Sequence, residues 1–195
     1  SDRLFLKSSK YRIQYGSLTP SLLPPSIQDE MYNLMQKAAS AIGIDKGAFK
    51  GDLILVRNRP RIIEVTARTS GGLDSQYRKP YSFGIDMIKA TIDISVGKEL
   101  DFRDIVPKWF KWSKTFSTFP KPGKIKRIIG INKVKKISGV KDIFIHADVG
   151  DIIRDYAHNA HRVNEINIVS DTLQNLKKIE MKVRKNFRYE TIHTD

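Results

Sequence analysis

Two carboxylates, Asp52 and Glu64, interrupt two neighbouring apolar runs in the stretch KGDLILVRNRPRIIEVTARTSGG, residues 50–72. A carboxylate inside an apolar run is costly unless it is paired or bound to a metal. The runs 52–57 and 61–66 flank Asn58-Arg59-Pro60, a turn-prone insert, and together they read as a β-hairpin. With that three-residue connection Arg57 pairs with Arg61, Ile54 with Glu64 and Asp52 with Thr66. Side chains alternate along a strand and cross-strand partners share a face. Asp52, Glu64 and Thr66 then lie on one face, with the acids diagonal neighbours roughly 7 Å apart. Two such carboxylates can share a hard cation such as Mg²⁺, which takes oxygen ligands at about 2.1 Å. A connection one residue shorter or longer puts the acids on opposite faces. The local pattern equally describes a plain hairpin with two solvent-facing acids.

The residues after the second run add to the chemistry. Arg68 follows Thr66 by two positions, and Ser70-Gly71-Gly72 comes next. A guanidinium beside paired acids suits an anionic oxygen held at the same metal. Two glycines let a backbone approach a ligand closely. Glu64-Val65-Thr66-Ala67-Arg68, followed by Gly71-Gly72 and preceded by Asp52, resembles the magnesium and phosphate site of ATP-grasp enzymes. In that family the pattern is Glu-x-Asn-x-Arg and a Gly-Gly turn, with another acid twelve residues upstream. The look is that of the carboxylate–amine ligase branch, which includes dipeptide-forming ligases. The resemblance implies ATP and Mg²⁺ (or Mn²⁺) as cofactors and Asp52, Glu64 and Thr66 as metal ligands. It further implies Asp52, Glu64 and Arg68 at the nucleotide phosphates, Arg68 as the catalytic cation, and Ser70, Gly71 and Gly72 at the substrate. Two departures stand out. Asp52 is one methylene shorter than the usual Glu, and Thr66 offers a neutral hydroxyl where the family has an amide. A scaffold that keeps the hairpin without turning over ATP shares these departures.

The bulk properties bound the alternatives. The chain has 195 residues, 40% of them hydrophobic and 29% charged, as in a globular protein. Its length allows one domain or two small ones. No apolar run approaches the roughly 20 residues needed to cross a bilayer. No secretory signal opens the chain, which starts at Ser1. The chain contains no cysteine, which excludes disulfides, thiolate metal sites and a cysteine nucleophile. These features make a cytoplasmic location the expectation. Net charge is +14, and residues 101–140 hold 11 Lys or Arg against two Asp. Such a block attracts anionic partners or is simply a solvated lysine-rich surface. Trp109, Phe110, Trp112 and Phe116 lie among lysines. They could stack on single-stranded bases, but packing under lysine stems is the expected role, which makes nucleic acid an unfavoured partner.

The elements that must position the hairpin follow from pattern. Leu4-Phe5-Leu6 is a short apolar run, residues 11–15 read as a strand, and the prolines and serines of 16–25 as a loop. Ser26 is the expected cap of a helix with Asp29 and Glu30 in its first turn. Met31, Leu34, Met35, Ala38 and Ile42 form its core face, and Gly43 ends it. Leu73–Tyr81, with Arg78 and Lys79 as further anion contacts, is expected as a loop over the site. A second helix, capped by Ser82, spans roughly 83–97. Residues 124–131, 141–147 and 165–169 read as strands, and 132–138 as a short helix or turn. Ser170 or Asp171 caps a last helix with Leu173, Leu176, Ile179, Met181, Val183 and Phe187 on its apolar side. His158 and His161 are spaced for one helix face but lack an evident third metal ligand.

The expected fold class is α+β: an antiparallel sheet with packed helices followed by a small α/β C-terminal subdomain. The ATP-grasp resemblance divides the chain at 1–112, the C-terminal half of an ATP-grasp domain, and 113–195. Phe83-Gly84-Ile85-Asp86-Met87 and Val96-Gly97 extend the closer match over about 26–97, while the match from Pro122 onward is looser. The implied function is part of an ATP-dependent carboxylate–amine ligase acting through an acyl phosphate. Its implied partners are a small carboxylate, an amine or other nucleophile, and an upstream ATP-grasp subdomain that this chain does not encode. Without that subdomain the chain alone is expected to be inactive. Self-association is left open by the sequence. The rival readings are a basic nucleic-acid-binding module and a catalytically dead ATP-grasp scaffold.

Overall fold

The structure is a computed structural model that describes residues 1–7 and 10–192. In chain order its main elements are β1 (Asp2–Phe5), β2 (Gln14–Thr19), α1 (Pro25–Ala41), β3 (Lys50–Val56), β4 (Arg59–Thr66), α2 (Lys79–Phe83) and α3 (Met87–Ser95). They continue with β5 (Trp112–Phe116), β6 (Gly123–Ile129), α4 (Ile131–Lys135), β7 (Val140–Ile145), β8 (Ile152–Ile153), β9 (Asn164–Ser170), α5 (Leu173–Asn186) and β10 (Arg188–Ile192). Every strand pairing among the described residues is antiparallel. Helices and antiparallel sheets together give the α+β class expected from the sequence.

The chain forms two compact units, Ser21–Lys108 and a second made of Ser1–Pro20 with Trp109–Asp195. The discontinuous unit holds a five-stranded sheet ordered β1-β2-β5-β9-β7 and a three-stranded sheet ordered β10-β6-β8. Its apolar core gathers Phe116, Ile125, Val134, Ile166, Ile168, Leu176, Val183 and Phe187, all nearly inaccessible to solvent. All seven residues of β9 are buried, polar ones included. Those polar groups are satisfied, as burial requires. Thr115 Oγ1 donates to Asn167 Oδ1, Asn167 Nδ2 to Asp142 Oδ2, and Asn164 Nδ2 to Thr118 Oγ1. Gly130 has φ +89°, and a Cβ there would lie 1.9 Å from the Asn186 carbonyl oxygen. Glycine is therefore required where β6 hands over to α4.

The strands read at 124–131, 141–147 and 165–169 are β6, β7 and β9, and the short helix at 132–138 is α4. Some local expectations are corrected. Residues 16–19 are not loop but the buried end of β2, because they pair with β5 from a distant part of the chain. Thr172, not Ser170 or Asp171, caps α5, accepting from the Asn175 N–H at 3.2 Å. Leu176, Ile179 and Val183 of α5 are buried with Phe187 after it, but Met181 is 63% exposed. β8 and β10 had no clear signal, being short or charged.

In the unit Ser21–Lys108, α1 opens with Pro25 in its first turn and Pro24 at the cap position, so Ser26 lies within the helix. Proline's fixed φ suits a helix start, and its missing N–H has no intrahelical use there. Met31, Leu34, Met35 and Ala38 are half-buried, whereas Ile42 lies past the helix end and is 56% exposed. Leu73–Tyr81 is helical rather than a loop: a π-helical turn at Asp74–Arg78 runs into α2. Gly84 then takes a left-handed conformation, and α3 is capped by Asp86, whose carboxylate accepts from the Lys89 N–H at 2.9 Å. The single helix expected from Ser82 is thus two short ones, broken at Gly84.

Candidate functional site

β3 and β4 form a two-stranded sheet joined by the turn residues Arg57 and Asn58, both with positive φ, 50° and 59°. Positive φ at both central residues marks the hairpin turn whose twist matches the flanking strands. The connection is therefore two residues, not Asn58-Arg59-Pro60. Pro60 sits inside β4, opposite Leu55. A two-stranded sheet has only edge strands, which tolerate proline's missing N–H.

The shorter turn pairs Val56 with Arg59, Leu55 with Pro60, Ile54 with Arg61 and Leu53 with Ile62. Continued unbroken, that register would send Glu64 to the face opposite Asp52. A bulge at Ile63 adds one residue to β4, and the ladder resumes with Asp52 paired to Glu64, Gly51 to Val65 and Lys50 to Thr66. The acids are direct cross-strand partners instead of diagonal neighbours, and Thr66 faces Lys50 rather than Asp52.

The two faces of the hairpin differ. Gly51, Leu53, Leu55, Ile62 and Val65 share one face, and α1 packs on β4. A Cβ at Gly51 would lie 2.3 Å from Met35 Sδ, so the missing side chain lets α1 come close. The other face carries Lys50, Asp52, Ile54, Val56, Arg61, Glu64 and Thr66. Ile54 and Val56 on it are 43% and 47% exposed.

Lys50 is the site residue that sequence reasoning missed. Its Nζ lies 2.7 Å from Asp52 Oδ1 and 3.1 Å from Glu64 Oε1, bridging both carboxylates. The Lys50 and Asp52 side chains are only 12% and 16% exposed, while Glu64 is 58% exposed. Two opposed carboxylates repel each other, and the ammonium between them leaves the trio with one net negative charge. The signal was present in the sequence: Lys50 and Asp52 are two apart on one strand and so must share a face.

Arg68 is exposed, and its guanidinium donates to the Thr69 carbonyl at 2.9 Å. Gly71 and Gly72 are exposed, and a Cβ on either would meet open space. Ser70 beside them is half-buried. Arg78, expected as an anion contact, is instead 4% exposed. It donates to Asp74 Oδ1 at 2.8 Å and to the Gly72 carbonyl at 3.0 Å, which ties it to the glycine turn.

Asp52, Glu64 and Thr66 offer oxygen alone, which suits a hard ion. The Lys50 ammonium is a stand-in that marks the space between the carboxylates as a cation position. No group of three or more His, Asp or Glu side chains converges on a metal position among the described residues. The His158 and His161 rings lie against each other with centroids 3.7 Å apart and planes tilted by 48°.

The discontinuous unit carries a cavity of about 340 Å³ lined by Leu6, Tyr15, Ser117, Phe119, Glu180 and Arg184. Glu180 is held there by Lys114 at 2.6 Å and Arg184 at 2.9 Å. Burial pushes the Tyr15 hydroxyl above its ordinary pKa, Glu180 adds to this, and Arg184 opposes it. The basic, aromatic run splits: Phe116 is in the core and Trp112 packs against it, while Phe102 and Phe110 are more than 70% exposed. No helix among the described residues is long and apolar enough to cross a membrane.

The fold has counterparts among known proteins. Residues 115–191 match the family model described as L-amino acid ligase C-terminal domain 2. A search of curated proteins finds no match. Among solved structures, phosphoribosylglycinamide synthetase from Anaerococcus prevotii superposes with a TM-score of 0.83 at 19% identity, over 98% of this chain and 48% of that one. L-amino acid ligase from Bacillus licheniformis gives 0.81 at 20% identity, over 96% of this chain and 46% of that one. The biotin carboxylase domain of Hydrogenobacter thermophilus 2-oxoglutarate carboxylase, solved with MgADP and bicarbonate, gives 0.65 at 16% identity, over 91% of this chain and 39% of that one. The chain thus spans about half the length of the first two. The chain has the fold of these solved structures, and its residues 115–191 match the family model for the second C-terminal domain of L-amino acid ligases.

Proposed function

We propose that the chain is the metal- and phosphate-binding part of an ATP-dependent ligase that activates a small carboxylate as an acyl phosphate for attack by an amine. The observation that carries this reading is the direct pairing of Asp52 with Glu64 on the exposed face of a hairpin in an ATP-grasp fold. Asp52 and Glu64, with Thr66 on the same face, would hold Mg²⁺ or Mn²⁺. Such an ion neutralises phosphate charge that would otherwise repel an attacking carboxylate. Arg68, exposed and two residues beyond β4, supplies a guanidinium for charge developing on the acyl phosphate. Ser70, Gly71 and Gly72 contact the substrate, the glycines by leaving room for it. The other wall of the nucleotide site comes from a segment outside this chain. Coverage of about half of each relative supports that division. The 195 residues alone accordingly turn over little ATP.

The test is carboxylate- and amine-dependent ADP release with Mg²⁺, by this chain and by the longest natural chain that contains it, as wild type and Glu64→Ala. Substrate-dependent release by the longer chain, abolished in Glu64→Ala, is the expected result. No release with any amino acid or other carboxylate, together with no Mg-nucleotide binding, overturns the reading in favour of a dead scaffold.

A further inference from the structure

We propose that Lys50 is a resident counter-cation, which holds the Asp52–Glu64 pair and must leave before a divalent ion can bind there. Lys50 therefore sets the metal affinity of the hairpin. The inference rests on the reading of Asp52 and Glu64 as metal ligands and goes beyond it.

The geometry makes Lys50 and a bridging metal mutually exclusive. The ammonium contacts one oxygen of each carboxylate, at 2.7 Å and 3.1 Å. A divalent ion shared by the same two carboxylates needs that same space. An ammonium has three donors and no acceptor, so in place it cannot serve as a ligand and repels the incoming ion. Its position is built into the strands rather than incidental. Lys50 shares a face with Asp52 by the two-residue repeat and with Glu64 by the register that the Ile63 bulge restores. It is also the most enclosed of the three side chains.

The exchange is chemically easy. Lysine carries its charge on a flexible four-carbon stem, so the head can leave the carboxylates without moving β3. Once displaced it remains beside the hairpin's open face, where an anion arriving with the metal offers it a new partner. A metal bound to a polyphosphate thus displaces Lys50 more readily than the free ion, because the displaced charge is paired again.

The test is Mn²⁺ binding by the 195-residue chain, read from the loss of the free-ion electron spin resonance signal, with and without inorganic tripolyphosphate. Variants are Lys50→Met, Lys50→Gln, Asp52→Asn and Lys50→Met/Asp52→Asn, each checked for folding by circular dichroism. Lys50→Gln keeps a polar contact to the acids and replaces Lys50→Met if the latter unfolds. The expected result is Mn²⁺ affinity raised at least about tenfold in the charge-removing variant, a gain that Asp52→Asn cancels. Tripolyphosphate should strengthen Mn²⁺ binding more in wild type than in Lys50→Met. If removing Lys50 leaves affinity unchanged or lower while Asp52→Asn weakens wild-type binding, the proposal falls and the metal reading stands. If neither substitution alters Mn²⁺ binding, both fall.

Discussion

Asp52 faces Glu64 across a hairpin whose turn, taken alone, would have kept them on opposite faces. The two-residue turn sets one parity and the bulge at Ile63 reverses it. Ile63 is 65% exposed, so its place is explained by register and not by packing. Deleting Ile63 moves Glu64 into the position opposite Asp52 in an unbroken ladder. The variant is expected to keep the acid pair, with stability within about 1 kcal/mol of wild type. Cross-strand nuclear Overhauser contacts between residues 52 and 64 check it, and their loss would show that the bulge does more than count residues.

Asp74 and Arg78 form an ion pair with both side chains 5% exposed. Removing one partner of such a pair leaves a buried charge without its counter-charge. Asp74→Ala is expected to destabilise the unit Ser21–Lys108 by about 3–5 kcal/mol. Asp74→Leu with Arg78→Met should recover much of that loss, since no charge is then buried. Urea unfolding followed by the fluorescence of a tryptophan placed at Tyr77 reads this unit, whose residues 21–108 contain none.

Ser117 is 1% exposed, and its hydroxyl has no hydrogen-bond partner among the described residues. A buried hydroxyl without a partner is a net cost. Ser117→Ala should therefore be neutral or stabilise by up to about 1 kcal/mol. Thermal unfolding measures it. A loss of 2 kcal/mol or more would mean that the hydroxyl has a partner in solution, with water in the neighbouring cavity the obvious one.

Burial raises the Tyr189 hydroxyl from 10.0 to about 12, and its donation to the Val163 carbonyl at 3.0 Å suits the protonated form. The Tyr156 hydroxyl is raised too, by burial first and by Tyr189 next. A pKa raised by folding gives stability that is complete below the unfolded value and lost as pH rises through the folded one. For Tyr189 the loss falls between pH 10 and about 12. Two pKa units correspond to about 2–3 kcal/mol at most. Urea midpoints should therefore drop steeply across that window, in step with phenolate absorbance. Tyr189→Phe should show a shallower drop from a lower starting stability.

Much of the fold was legible because most elements carry their own pattern. β6, β7 and β9 are apolar runs, and α5 repeats its buried residues at helical spacing through Leu176, Ile179 and Val183. β2 was not fully legible, because Gly16–Thr19 looks like a linker until β5 is beside it. Helix starts were misplaced where several cap-competent residues adjoin, as at Ser170, Asp171 and Thr172. At the hairpin, the shared face of Asp52 and Glu64 followed from a three-residue connection that the structure does not have; the two-residue turn and the bulge that together restore that face were invisible. They depend on two left-handed residues, Arg57 and Asn58, that are not glycine. Lys50 was overlooked because a lysine at a strand's first position usually reads as solvated edge.

The discontinuity of the unit built from Ser1–Pro20 and Trp109–Asp195 has a consequence for biosynthesis. On a ribosome β1 and β2 emerge before residues 21–108, but the strand that completes β2's ladder, β5, follows only after those residues have been made. The intervening segment has its own compact contacts and can fold while β2 still shows an open edge. Joining β1 and β2 to the rest of the five-stranded sheet then takes the long-range β2–β5 pairing, with the entropy cost of a large loop already lowered by the folded insert. Vectorial synthesis thus makes the whole hairpin bearing Asp52 and Glu64 available before β5, the strand that joins β2 to the rest of its sheet.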